Sequence, residues 1–303
     1  MKLTLVGLGK MGAQIAQLLI EAGHQVVAVD PDPNAVAAAT VFGATASTSR
    51  QDALTKYDSG EQVVVWLMIP AAFVSSEVAA WCDILPPESI LVDGGNTDFR
   101  QTKQHAQLAS TKSIHFVDVG VSGGILGTAN GFSMMAGGDE ASYQRITPLL
   151  DVLAKPRGGY DYFGEVGSGH YVKMVHNAIE YGMMESLAEG YRILHEGPYQ
   201  HIDLAKVGAV WQKASVIEST LNGLATEVMQ EDQSLSTASG FVAESGEARW
   251  TLEAAQETGI ELPAIQTALN VRVESEQGNT NYATKLLAEL RNKFGGHPLN
   301  KQG

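Results

Sequence analysis

The sequence predicts a doubly wound α/β domain followed by an all-helical one, on three observations. Strand-like and helix-like segments alternate through the first half, a GxGxxG run stands between the first strand and the first helix, and strand signals nearly vanish after Gly167. The predicted architecture is an α/β N-terminal Rossmann-like doubly wound sheet over 1–165, followed by an all-α C-terminal domain over 166–303.

LTLVG at Leu3 to Gly7 reads as a buried strand, and the amphipathic run AQIAQLLIEAG follows the glycine loop. That context makes Gly7, Leu8, Gly9, Lys10, Met11 and Gly12 a candidate pyrophosphate loop: a tight turn at Gly7, backbone approach at Gly9, close helix packing at Gly12 and a helix N-terminus facing the negative charge. QVVAVD ends in Asp30, which can accept hydrogen bonds from both ribose hydroxyls; a plain strand-end turn residue would look the same. A 2′-phosphate there would meet a repulsion on the order of 4 kcal/mol before screening. Pro31 and Asp32 supply no compensating cation, so the predicted cofactor is NAD, with NADP weaker.

QVVVWLMIP, SILVDGG and HFVDVGVSGG continue the strand series, and a parallel sheet is expected to about Gly164. Ligands of such sheets lie beyond the carboxyl ends of the strands, which singles out the turns Gly94-Gly95-Asn96 and Ser122-Gly123-Gly124. In the second half, helical periodicity covers Val172–Leu194, Asp203–Gln212, Ser219–Gln230, Ala248–Glu257, Leu262–Glu276 and Asn281–Lys293.

The run GSGHYVKMVHNAIEYG carries the most chemistry. Lys173, His176, Asn177 and Glu180 fall at i, i+3, i+4 and i+7, on one helical stripe, while Val172, Val175, Ile179 and Met183 form a separate apolar stripe. A solvated helix face has the same spacing. Gly167 and Gly169 at the helix start, with Ser168 as candidate cap, point instead to close backbone approach, and Gly182 and Gly190 to packing on more than one side. A base, an acid and two hydrogen-bonding neighbours on one rigid element suit proton transfer. The all-helical domain, built on this helix, would put the stripe at the domain junction. Near the end, Arg291 and His297 flank a glycine turn that could close over a phosphate or be a frayed terminus. Arg272 could pair with Glu276 at i+4 on a surface.

A net charge of −14 argues against nucleic acid and anionic membranes as partners, though not against an anionic substrate held by a few local cations. The lone Cys82 offers neither a disulfide nor a thiolate metal cage, and no metal is expected. No signal-peptide pattern and no membrane-length apolar run occurs, so the expected location is the cytoplasm.

Together GLGKMG, VDGGN, VSGG, GHYVKMVHNAIEYG, RW, NVR and FGGH resemble the decarboxylating 6-phosphogluconate dehydrogenases of the short, NAD-linked type, over nearly the whole chain. The resemblance implies oxidative decarboxylation of 6-phosphogluconate, with Lys173 as general base and Glu180 as general acid. It implies substrate contacts from Asn96 (also near the cofactor), Ser122, Gly123, Gly124, His176, Asn177, Tyr181, Arg272, Arg291 and His297. In relatives the last two reach in from a neighbouring subunit, so a homodimer or homotetramer is implied, with a place in pentose phosphate flux or gluconate utilization. Lys173 should then have its pKa lowered toward neutrality. Longer members carry a lysine where this chain has Ser245, which leaves one phosphate contact without its usual residue. The rival readings are a 3-hydroxyisobutyrate-type dehydrogenase or semialdehyde reductase and, more remotely, a non-catalytic NAD-binding protein.

Overall fold

The computed structural model describes residues 1–199 and 201–299. The chain divides into two compact units, Met1–Met174 and the portion from Val175 onward. The first unit is an eight-stranded sheet: β1 (Lys2–Val6), β2 (Gln25–Val29), β3 (Thr45–Ala46), β4 (Val64–Leu67), β5 (Ile90–Asp93), β6 (His115–Ser122), β7 (Ser133–Gly138) and β8 (Gly159–Tyr162). Its helices are α1 (Lys10–Glu21), α2 (Pro33–Val41), α3 (Arg50–Leu54), α4 (Ala71–Cys82), α5 (Phe99–Ser110), α6 (Gly127–Asn130) and α7 (Glu140–Leu153).

Strand order is β3-β2-β1-β4-β5-β6-β7-β8, so the topological switch falls between β1 and β4. Successive strand residues point to opposite faces, and the core divides accordingly. Leu3, Leu5, Ala28, Trp66 and Val92 pack with Ile15 and Leu19 of α1 and Ile146 and Leu150 of α7. Val6, Val27, Val65, Leu67 and Leu91 pack with Val74, Val78 and Trp81 of α4. One expectation changes: β7 and β8 join the sheet, and β7 runs antiparallel to β6, so the sheet is mostly rather than wholly parallel.

The second unit is helical. α8 (Ser168–Glu196) begins in the first unit and supplies a long element to the second; α9 (Leu204–Trp211), α10 (Thr220–Glu231), α11 (Glu247–Glu257), α12 (Pro263–Glu276) and α13 (Tyr282–Gly295) follow. Asp203, Ser219 and Asn281 cap three of these helices through their side chains, satisfying N–H groups that a helix start leaves unpaired. Met184, Ala188 and Tyr191 of α8 pack with Leu224, Val228, Leu286 and Leu290 in the core. The apolar stripe read from the sequence is not the face of α8 that packs in this core: Ile179 and Met183 are each 51% exposed. They line a groove with Glu185, Glu189, Trp211 and Ile265. Gly182 and Gly190 also depart from expectation, since a Cβ at either would meet nothing within 4 Å.

Candidate active site

In the first unit three turns gather at the carboxyl ends of β1, β5 and β6. Gly7 turns with φ 93°, and a Cβ on Gly12 would collide with the Gly7 carbonyl, whereas Gly9 has open space beside it. No side chain caps α1, and the start of a helix is where a phosphate binds. Asp30 holds the loop from the next strand: its carboxylate accepts from Leu8 N at 2.6 Å and from Asp32 N at 2.8 Å. These are features a pyrophosphate and an adenosine ribose require.

After β5 the turn is shaped by buried Asp93, which accepts from Gly95 N at 2.9 Å and from Thr97 Oγ1 at 3.0 Å. Asp93 stays ionised, its carboxyl held below the usual range despite burial, chiefly by the neighbouring His170 and then by His105. Asn96 adopts φ 52° and clasps β6, its Oδ1 accepting from Val121 N at 3.1 Å. After β6, Gly123 and Gly124 both have positive φ, and a Cβ on Gly123 would press on the Phe132 ring. Gln14 of α1 ties this turn to the glycine loop by donating to Gly124 O at 3.1 Å.

Lys173, on the first turns of α8, is 4% exposed. A Cβ on Gly120 would collide with the Lys173 stem, so β6 approaches the lysine at a position only glycine allows. Gly169 meets the β7 backbone in the same way at Met135 O, in line with the expected close approach. The cap is not Ser168, whose buried Oγ has no hydrogen-bond partner among the described residues. Asp118, buried on β6, does that work instead, accepting from Gly167 N at 2.8 Å and His170 N at 2.9 Å. Gly120 and Asp118 were not singled out in the sequence. The signal available was a glycine and an aspartate on one strand otherwise made of apolar residues, VDVGV.

In the second unit the remaining stripe residues form a chain of polar contacts. His176 Nδ1 donates to Asn177 Oδ1 at 2.9 Å, and Asn177 Nδ2 donates to Glu247 Oε1 at 3.0 Å. Glu180 lies 4.0 Å from the same imidazole nitrogen. Tyr181 Oη pairs with Ser245 Oγ at 2.8 Å and accepts from Ser245 N at 3.1 Å, so Ser245 orients the tyrosine.

Arg272 is not a surface residue paired to Glu276. It is 2% exposed, with its guanidinium carbon 3.2 Å from the Tyr181 ring centre. Burial pushes it down to about 10, Tyr181 opposes that, and Arg291 adds to it. Arg291, 8% exposed, is likewise lowered by burial. Among the described residues neither guanidinium has a carboxylate within 4.0 Å. Tyr181, Glu247 and Glu180 oppose the lowering of Arg291. His297 follows Gly296, the left-handed cap of α13, and its carbonyl accepts from Asn292 Nδ2 at 2.8 Å, so this stretch is an ordered turn rather than a frayed end. Residues 300–303 of the expected tail lie outside the described residues. Among the described residues no group of three or more His, Cys, Asp or Glu could hold a metal, and no helix is long and apolar enough to cross a membrane.

Comparison with known proteins gives a consistent result. The family model for the NAD binding domain of 6-phosphogluconate dehydrogenase matches residues 2–169, and that for the 6-phosphogluconate dehydrogenase C-terminal domain matches 169–299. The chain is 36% identical to the NAD(+)-dependent, decarboxylating 6-phosphogluconate dehydrogenase of Haloferax volcanii, over 100% of this chain and 99% of that one. Among solved structures, Plasmodium falciparum 6-phosphogluconate dehydrogenase superposes with a TM-score of 0.77 at 23% identity, covering 97% of this chain and 65% of that one. Mycobacterium tuberculosis 3-hydroxyisobutyrate dehydrogenase superposes with 0.73 at 20% identity, covering 94% and 98%. At these identities the two structures bear on the fold alone.

Proposed function

The chain belongs to the 6-phosphogluconate dehydrogenase family, and from that membership we propose that it converts 6-phospho-D-gluconate to D-ribulose 5-phosphate and CO2 while reducing NAD. The observation that carries the substrate is the pair Arg272 and Arg291. Two buried guanidiniums without a carboxylate partner among the described residues are costly unless an anion joins them, and a phosphate matches their donors. A small hydroxy acid such as 3-hydroxyisobutyrate has one anionic group and leaves no second anion for this pair.

Gly7 to Gly12 and Asp30 would hold the dinucleotide, with the start of α1 against the pyrophosphate. Bound there, oxidised nicotinamide supplies the two-electron acceptor for the C3 carbinol. Lys173, buried at the start of α8, takes the C3 hydroxyl proton. As an ammonium it then donates to the new C3 carbonyl, drawing electron density toward that oxygen while the carboxylate leaves as CO2. Glu180, two turns further along α8, delivers a proton to C1 of the resulting enediol. Asn96, Ser122, Gly123 and Gly124 of the first unit, and His176, Asn177, Tyr181 and His297 of the second, are assigned to orient the sugar acid. NAD is preferred because Asp30 is followed by Pro31 and Asp32 with no cation for a 2′-phosphate.

In this reading the first unit carries the cofactor and the second the substrate phosphate, and the protein works in the cytoplasm as a homo-oligomer. The exposed Ile179, Met183, Ile193 and Val210 of the helical unit support self-association. Steady-state assays of nicotinamide reduction with 6-phosphogluconate and with 3-hydroxyisobutyrate, each under NAD and NADP, test the assignment. The expected order is 6-phosphogluconate with NAD first, by at least about tenfold in kcat/KM; a preference for 3-hydroxyisobutyrate would reject it.

A further inference from the structure

Glu247 opens α11, where the helix has no side-chain cap and the preceding Gly246 turns with φ 98°. An acidic residue in a first turn is ordinarily explained by the helix dipole, which requires no burial. Here the residue is only 9% exposed, and its two carboxylate oxygens are used unequally. Oε1 accepts from Asn177 Nδ2 at 3.0 Å, while Oε2 is buried with no hydrogen-bond partner among the described residues. A buried carboxylate oxygen left unpaired carries a desolvation cost that native proteins seldom leave unanswered. Its position limits what can answer it. The two oxygens share one carbon, so the free one lies beside the Asn177 amide, and Arg291 is influenced by the same charge without being within ion-pair reach.

A carboxylate accepts hydrogen bonds only, so the missing partner is a donor. It cannot be the substrate's phosphate or carboxylate, both anionic at neutral pH. We infer that Glu247 is a specificity-determining residue whose free Oε2 accepts a hydrogen bond from a substrate hydroxyl other than the reacting one at C3, while Oε1 holds the Asn177 amide. This inference rests on the sugar-acid reading above, because a polyhydroxy chain supplies such a donor and 3-hydroxyisobutyrate does not. It also gives Asn177 its orientation: with Nδ2 committed to Glu247, Oδ1 is turned to the His176 imidazole.

The test compares wild type with Glu247→Gln on 6-phosphogluconate and on its 2-deoxy, 4-deoxy and 5-deoxy analogues, with NAD affinity and thermal midpoint as checks on folding. The amide keeps the shape and the bond to Asn177 but loses the charge and turns a donor toward the substrate. On the parent compound kcat/KM should fall about 10- to 100-fold, the range of a hydrogen bond to a charged group. For one analogue the variant and wild type should differ by less than about threefold, which identifies the hydroxyl. A variant within about threefold of wild type on the parent, or an equal loss on every analogue, would overturn the inference; the second result would confine Glu247 to holding Asn177. Glu247→Ala, which also removes the Asn177 contact, should lose more than the amide variant on every analogue. If wild type itself fails with 6-phosphogluconate and turns over 3-hydroxyisobutyrate, the reading of the substrate falls and this one with it. An active wild type with an indifferent variant sinks the Glu247 inference alone.

Discussion

At Gly120 the β6 backbone lies where a single methyl group would strike the Lys173 stem. Gly120→Ala should therefore displace the amine by a fraction of an ångström without removing it, and misplacement of that size is costly to proton transfer. The expected loss in kcat is about 10- to 100-fold, with NAD affinity unchanged, against at least about 1000-fold for Lys173→Met. Equal kcat for Gly120→Ala and wild type would separate the lysine from the chemistry. Lys173, Asn177 and Glu180 were legible because their spacing is a property of one helix. The burial of Arg272 was not legible, because packing under a tyrosine ring depends on helices far apart in the chain. Glu247 and Glu185 gave no local signal either, since a carboxylate among AESGEARW or MMESLAEG resembles any exposed one.

At the scale of elements, α8 begins on a carboxylate that comes from a strand some fifty residues earlier. Asp118→Ala leaves two buried N–H groups unpaired and should cost about 2–3 kcal/mol in denaturant unfolding. Ser168→Ala, which deletes an oxygen that has no partner among the described residues, should change stability by less than about 0.5 kcal/mol. The reverse order would restore the serine as cap. Six helical segments of the second half were readable within a few residues of their ends, because periodicity and the residues Asp203, Ser219 and Asn281 are local. β7 and β8 were not. SMMAGG contains two glycines and GYDY spans four residues, so both are strands only through their neighbours in the sheet.

For the whole molecule, one buried acid ties stability to pH. Glu185, 6% exposed on α8, is pushed up to about 7, first by burial and then by Glu189, with Arg272 opposing. From the ordinary carboxylate range up to about pH 7 the folded chain keeps a proton that the unfolded chain has released. Its stabilising contribution is thus fully present at acid pH and lost as pH rises through about 7. Glu185→Gln should match wild type in Tm near pH 5 and exceed it by about 3–6 °C near pH 8. A difference that stays constant with pH would show that Glu185 ionises normally. The order of units along the chain, with sheet before helices, was visible in the disappearance of strand signals after Gly167. The outward face of α8 was not, because apolar Ile179 and Met183 carry the pattern of a buried stripe whatever covers them.

Loss of the carboxylate distinguishes the proposed reaction from every simpler oxidation this fold supports. The direct measurement is the molar ratio of CO2 released to NADH formed from 6-phosphogluconate labelled at C1. The account predicts one CO2 for each NADH; NADH accumulating with the label retained in the organic product would contradict it.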